Sequence, residues 1–326
     1  MINCNEIMNS NNRATALRLI KMFSGKSKFY ITKNIQAIGL TRQTIQNKVK
    51  LLRKQEIIEN ITINIHPYLL PNNLKYVILE IKTNPREPQI VEKLLKIPHL
   101  KMLDGIFGEF SLLALFVFKS LEEYYDGLEK IDNIMAESYF KKYQIIEIIR
   151  VFKTNGINLD KAKLDSDFVI DKNDYLILKI LQEEQTRKPI STYEIRDKMK
   201  NQNNVELSQS TIHNRIKKLE VKGIILNYSI NFSPKKIGYD GKFILRLKPK
   251  DPSKYNELAL KLEERYFITD LFRIGEQYGL LAFVRVKRIE DYAVFIRDLY
   301  NSEEIEDTFT NFVLDELKPY TNFLIF

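Results

Sequence analysis

Cysteine is nearly absent from this 326-residue chain: Cys4 stands alone, which excludes an internal disulfide. Histidine is almost as scarce. His66, His99 and His213 are scattered without CxxC or HxxxH spacing, so neither a metal site nor a Ser/His/Asp constellation is expected. No apolar run reaches the roughly 18 residues of a membrane span, and the first residues mix Asn, Arg and Lys without an apolar h-region. The expectation is a cytoplasmic protein with no cofactor and no membrane partner. Gly25-Lys26-Ser27 imitates the end of a phosphate-binding loop, but Ile20 stands where its first glycine is required.

What is present is a globular composition, 44% hydrophobic, with a formal charge of +9. The pI near 9.2 suits a polyanion partner, although the position of the charge matters more than its sum. Between Thr41 and Lys54 the charged residues are Arg42, Lys48, Lys50, Arg53 and Lys54, with no acid. Between Ser208 and Lys222 they are Arg215, Lys217, Lys218 and Lys222 against Glu220 alone.

Both clusters fall in a segment written twice, about 167 residues apart. Leu40-Thr-Arg-Gln-Thr-Ile-Gln-Asn-Lys-Val-Lys-Leu-Leu52 matches Leu207-Ser-Gln-Ser-Thr-Ile-His-Asn-Arg-Ile-Lys-Lys-Leu219, and Leu112-Leu113-Ala114 matches Leu280-Leu281-Ala282. A period this long exceeds that of solenoids and propellers and implies a repeated module with its own core.

Ile45, Val49 and Leu52, like Ile212, Ile216 and Leu219, are spaced for one face of a helix. Thr41 and Ser208 are expected as N-caps. Two further helices precede each copy: Ala14 to Phe23 and Thr32 to Ile38 in the first, Asp171 to Leu181 and Tyr193 to Met199 in the second. A β-branched stretch, Gly223 to Phe232, follows the second as a short strand. The outer faces offer Thr41, Arg42, Gln43, Thr44, Gln46, Asn47, Lys48 and Lys50, and Ser208, Gln209, Ser210, Thr211, His213, Asn214, Arg215 and Lys217. In a major groove, Gln and Asn read adenine edges and Arg reads guanine. A solvated helix face is the plainer alternative for either one, and its occurrence twice favours double-stranded DNA as partner.

Each copy then runs strand, helix, strand, strand, helix, strand. The first occupies Tyr76 to Phe152 and the second Lys242 to Leu314. This βαββαβ order is the ferredoxin-like split unit, with helices on one sheet face and a second sheet expected on the other. Gly108, Glu109 and Phe110 in one copy, and Gly275, Glu276, Gln277 and Tyr278 in the other, connect the middle strands. There the acid can receive an ammonium group, or the segment is an ordinary turn; the second loop reads as one residue longer.

Taken together, these residues resemble the leucine-responsive regulator (Lrp/AsnC) family of transcription factors, most closely in Ile170 to Leu181, Leu207 to Ile225 and Pro234 to Tyr239. The resemblance implies an α+β chain of two tandem modules, each a winged/helix-turn-helix domain followed by a ferredoxin-like domain that dimerises through its sheets. The implied layout is DNA-binding 1–66, regulatory 67–153, linker 154–167, DNA-binding 168–233 and regulatory 234–326. It also implies an amino-acid-like effector at the two loops, pairing of modules within the chain, and a homodimer. The first copy departs from the family pattern with Glu56 where the second has Gly223, and Pro71-Asn-Asn73 where Gly238-Tyr-Asp240 stands. Siroheme decarboxylases resemble the same architecture, but their chemistry requires His and Arg around a tetrapyrrole and these histidines lie apart. A non-specific architectural DNA-binding role is the remaining alternative.

Overall fold

A computed structural model describes residues 17–21, 23–24, 41–185, 189–319 and 321–324. The expected helix from Thr32 to Ile38 lies outside them, as do residues 14–16 and 22 of the one from Ala14 to Phe23. In chain order the elements are α1 (Arg42–Lys54), β1 (Ile58–Ile65), β2 (Lys75–Lys82), α2 (Pro88–Leu95), β3 (Leu100–Ile106), β4 (Leu112–Phe118), α3 (Leu121–Ala136), β5 (Lys142–Thr154) and β6 (Ile157–Asn158). There follow α4 (Lys172–Glu183), α5 (Thr192–Asn203), α6 (Gln209–Val221), β7 (Ile225–Phe232), β8 (Gly241–Pro249), α7 (Tyr255–Glu263), β9 (Ile268–Ile274), β10 (Leu280–Val286), α8 (Ile289–Asn301) and β11 (Ile305–Glu316). Among the described residues no helix is long and apolar enough to cross a membrane.

The chain divides into two compact units, and each gathers segments from both halves of the sequence. One takes 1–66, 162–238 and 320–326, the other 67–161 and 239–319. In the first unit β1 and β7 form an antiparallel ribbon in which Ile61 faces Ile230 and Ile63 faces Tyr228. α4 and α5 begin with reciprocal caps, Asp171 with Asp174 and Ser191 with Glu194, so the orphan donors of both first turns are satisfied by side chains. Ile177, Leu178, Leu181, Ile195, Met199, Ile212, Ile216 and Leu219 are all buried and form the apolar side of α4, α5 and α6. The returning chain end joins this unit, with Ser24 Oγ donating to the Phe323 carbonyl at 2.7 Å and Ser229 Oγ to that of Asn322 at 3.1 Å.

In the second unit the strand order is β2-β4-β3-β11-β8-β10-β9-β5, and a further β2–β5 pairing closes these strands into a ring, with β6 hanging on β5. The two βαββαβ runs therefore meet along both sheet edges, through antiparallel β3–β11 and β5–β9 pairs. Closure removes the exposed edges that would otherwise invite aggregation. On the helix side, Val77, Leu79, Ile81, Ala114 and Phe116 pack with Ile90, Leu94 and Ile131; Phe243, Leu245, Leu247, Ala282 and Val284 pack with Leu258, Leu262 and Phe295. The alternation of β-strands sends Tyr76, Ile78 and Glu80, and Lys242, Ile244 and Arg246, to the opposite face. That face carries buried charges in addition to apolar residues. Glu80, Asp104, Lys242, Arg246 and Arg285 are each at most 6% exposed.

Differences from the sequence reading are local. The segment expected as a linker from residue 154 carries β6, whose Asn158 pairs with Lys153, and Leu159 N–H donates to the Phe152 carbonyl at 2.9 Å. Lys153 is itself buried, its ammonium donating to the carbonyls of Glu263 at 2.6 Å and Arg265 at 3.1 Å. Pro252 opens a separate 3₁₀ turn over Pro252–Lys254, so α7 itself starts only at Tyr255.

Candidate nucleic-acid interface

α1 and α6 start alike. Thr41 and Ser208 have extended backbone angles and their hydroxyls accept from the N–H of Thr44 at 3.2 Å and Thr211 at 3.1 Å. Neither helix carries an acid in its first turn, so its positive dipole end is not neutralised by side chains there. On α1, Ile45 and Leu52 are buried while Gln43, Asn47 and Lys50 are exposed; Gln43 Nε2 donates to Asn47 Oδ1 at 3.2 Å, aligning two amides on the outer face. Thr44 and Lys48 are half-buried. The backbones of Arg42 and Gln46 lie in the helix; their side chains are outside the described residues.

On α6, Ser210, His213, Asn214 and Lys217 are exposed on the outer face, and Thr211 is half-buried. Two residues expected to face a ligand are instead held by the fold. Gln209 Nε2 donates to Thr192 Oγ1 at 2.9 Å, and Arg215 Nη1 donates to Asp171 Oδ2 and Asp174 Oδ1, both at 2.8 Å. Asp174 is almost fully buried, so the guanidinium balances a carboxylate that water cannot reach. Arg215 is thus a structural clamp between α6 and the start of α4. The two acids that open α4 lie 44 and 41 positions from the arginine they hold.

The turns after the two helices have the same backbone hand. Gly223 has φ +76, and a Cβ there would stand 1.7 Å from the Lys163 carbonyl oxygen. Glu56, at the matching place, also adopts a left-handed φ of 55 and pairs with Lys236 at 3.0 Å. The glutamate therefore leaves the turn unchanged in form.

The two loops expected to hold an effector are of equal length, which corrects the reading of an extra residue in the second. Ile106 N–H donates to the Ser111 carbonyl and Ile274 N–H to that of Gly279, each at 2.9 Å and each across the same number of residues. Gly108 and Gly275 consequently occupy different places in their loops; the difference is a shifted glycine. Glu109 is exposed and paired with Lys142 at 2.6 Å, whose ammonium lies 5.3 Å from the ring of buried Phe110. Glu276 is turned to Arg246, Oε1 to Nε at 2.9 Å, and burial raises its pKa while Arg246 opposes that rise. Gln277 is exposed and Tyr278 donates to Asp307 Oδ2 at 3.2 Å. Gly275 N–H is taken by the Glu147 carbonyl at 2.9 Å. A cavity of about 460 Å³ lies elsewhere, among Tyr68, Asn72, Lys75, Ser120 and Arg150.

His66 and His213 belong to one unit and His99 to the other. His66 is buried, which lowers its pKa to about 4; His213 is exposed on α6; and the His99 ring lies 4.9 Å from that of Phe118.

A family model described as the Lrp/AsnC ligand binding domain matches residues 243–323. The chain is 34% identical to the HTH-type transcriptional regulator LrpA of Pyrococcus horikoshii over 128 residues, covering 39% of this chain and 84% of that one. It is 31% identical over 115 residues to the HTH-type transcriptional regulator FL11 of Pyrococcus furiosus, covering 35% and 76%. Among solved structures, the siroheme decarboxylase NirDL superposes with a TM-score of 0.58 over 94% of this chain and 92% of that one, at 12% identity. That likeness is one of fold alone.

Proposed function

Because the chain belongs to the Lrp/AsnC family of transcriptional regulators, we propose that it binds double-stranded DNA at specific sequences through α1 and α6, as two tandem modules fused in one chain. The observation that carries this reading is the pair of capped helices, each with a basic, amide-bearing outer face and no acid in its first turn, within one compact unit. Lys48, Lys50 and Lys217 contact phosphates and supply affinity, while Gln43, Asn47, His213 and Asn214 face base edges and supply specificity. Since the two outer faces differ, the operator is asymmetric, with half-sites about one helical turn, roughly 34 Å, or a multiple of it apart. The chain acts as a regulator and not as an enzyme. An amino-acid-like effector at the second loop must bring an ammonium group that replaces Arg246 at Glu276.

Footprinting of the purified protein on its own upstream region and on random genomic fragments, at two salt concentrations with excess competitor, tests this reading. A discrete protected site that survives competition supports it. Diffuse binding that vanishes with salt sinks specific recognition and leaves an architectural role, since counterion release alone then accounts for affinity.

A further inference from the structure

The buried charges inside the strand ring follow a rule that appears when equivalent positions of the two βαββαβ runs are compared. Glu80 of β2 sits opposite Leu113 in β4, and Arg246 of β8 sits opposite Leu281 in β10. Leu113 and Leu281 match in the sequence repeat, so Glu80 and Arg246 occupy the same place in their own sheets. They carry opposite charge and pair with one another, and both are nearly inaccessible. Equivalent residues touch each other only near a two-fold relation between the halves.

A second set of positions obeys the same relation. Asp104, opposite Leu113, corresponds to Phe272, opposite Leu281; Lys242, opposite Arg285, corresponds to Tyr76, opposite Val117. Asp104 of the first run pairs with Lys242 of the second at 2.5 Å. The mirror contact, Tyr76 of the first run with Phe272 of the second, is an aromatic pair with centroids 6.3 Å apart. One side of the pseudo-symmetric seam is ionic and the other aromatic.

From this we infer that the inner sheet faces carry a pairing code that admits only unlike halves. Two first halves brought together would oppose Glu80 to Glu80 and bury Asp104 against Tyr76. Two second halves would oppose Arg246 to Arg246 and bury Lys242 against Phe272. Two first halves would strand paired carboxylates, and Asp104 without a cation, in a site that excludes water; two second halves would press guanidinium on guanidinium, each keeping only Glu276 of its own half at 2.9 Å, and leave Lys242 to Glu316 at 3.8 Å. The repulsive element is as specific as the attractive one. The surface recognised by each half is therefore the other half, in the same chain by preference, because the fusion holds that partner at high effective concentration.

The test is a charge reversal in the full-length chain: Glu80→Arg, Arg246→Glu and the double variant, with denaturation midpoints and native mass spectra. Each single reversal is expected to lower the midpoint, and the double variant to recover part of the loss, the remainder reflecting Glu276, which then faces a carboxylate at position 246. The two single variants, differing in mass and refolded together, should form a mixed two-chain species roughly ten-fold above the fraction seen between two labelled wild-type chains, since both of its seams regain opposite charges. Additive losses in the double variant, or mixing at the wild-type level, overturn the inference. If the reversals fail to fold, Glu80→Gln and Arg246→Gln carry the same cycle. Removing both partners must then lower the midpoint less than the two separate losses combined, and simple additivity overturns it. DNA binding does not enter either readout, so the outcome stands apart from that of footprinting.

Discussion

α1 and α6 are built to one plan and secured in different ways. Both are capped by a hydroxyl, both bury an apolar stripe, and both turn left-handed immediately afterwards. In α6 the clamp from Arg215 to Asp171 and Asp174 and the close passage of Lys163 over Gly223 make two positions intolerant of change. In α1 the matching residues are Lys48, with no ion pair among the described residues, and Glu56, which pairs with exposed Lys236 at 3.0 Å. The two copies thus differ in how the helix is supported. A motif can keep its cap and apolar stripe while the residues that hold it in place diverge.

The largest break in this comparison is expected at the turn. Gly223→Ala should cost roughly 3 kcal/mol or more, because the new Cβ meets a backbone carbonyl and the residue remains left-handed. Glu56→Gly should change stability by no more than about 1 kcal/mol, since relief of the left-handed strain is set against greater chain entropy and a surface pair. Urea titration followed by circular dichroism measures both, and a neutral Gly223→Ala would remove the close-passage explanation.

Next comes the clamp. Arg215→Ala should lower stability by about 2 kcal/mol by leaving buried Asp174 without its cation, whereas Lys48→Ala should stay within about 0.5 kcal/mol. Equal losses from the two would mean that the copies are supported alike.

Smaller again are effects on DNA. Lys50→Ala and Lys217→Ala should each reduce the slope of log affinity against log salt by about one, with little effect on sequence preference. A slope that responds to Lys217 alone would assign the first copy a purely structural role.

The least effect is expected from pH. His66 and Ser233 occupy matching, buried positions after their strands. Burial holds the His66 imidazole down at about 4, so its contribution to stability is present above about pH 6.5 and lost as pH falls through 4. His66→Ser should flatten the part of the pH–stability curve between about pH 6.5 and 4. An unchanged acid limb would place the sensitivity elsewhere.

The caps at Thr41 and Ser208, the apolar stripe of Ile212, Ile216 and Leu219, and the βαββαβ order were all legible in the sequence, because each depends on neighbours within a turn or on strand alternation. Arg215 was read as groove-facing, and only the packing of α6 against α4 brings Asp171 and Asp174 within its reach. The loop glycines were misaligned for a related reason. Gly108 and Gly275 looked equivalent by residue type, while the hydrogen bonds from Ile106 and Ile274 set the true register. Glu276 was read as open to a ligand because Arg246, on a distant strand, could not be seen beside it.

What the sequence by itself determined is local and repeated: where helices begin, which faces are apolar, and that the chain states one plan twice. Which edges meet, so that β3 joins β11 and β5 joins β9, was decided only in the tertiary structure. So was the meeting of Glu80 with Arg246, 166 positions apart. The physical reason is one of range. Caps and periodicity act through hydrogen bonds and side chains a few residues apart, whereas the partner of a buried charge is chosen by desolvation, which acts only once both sheet faces have closed over it.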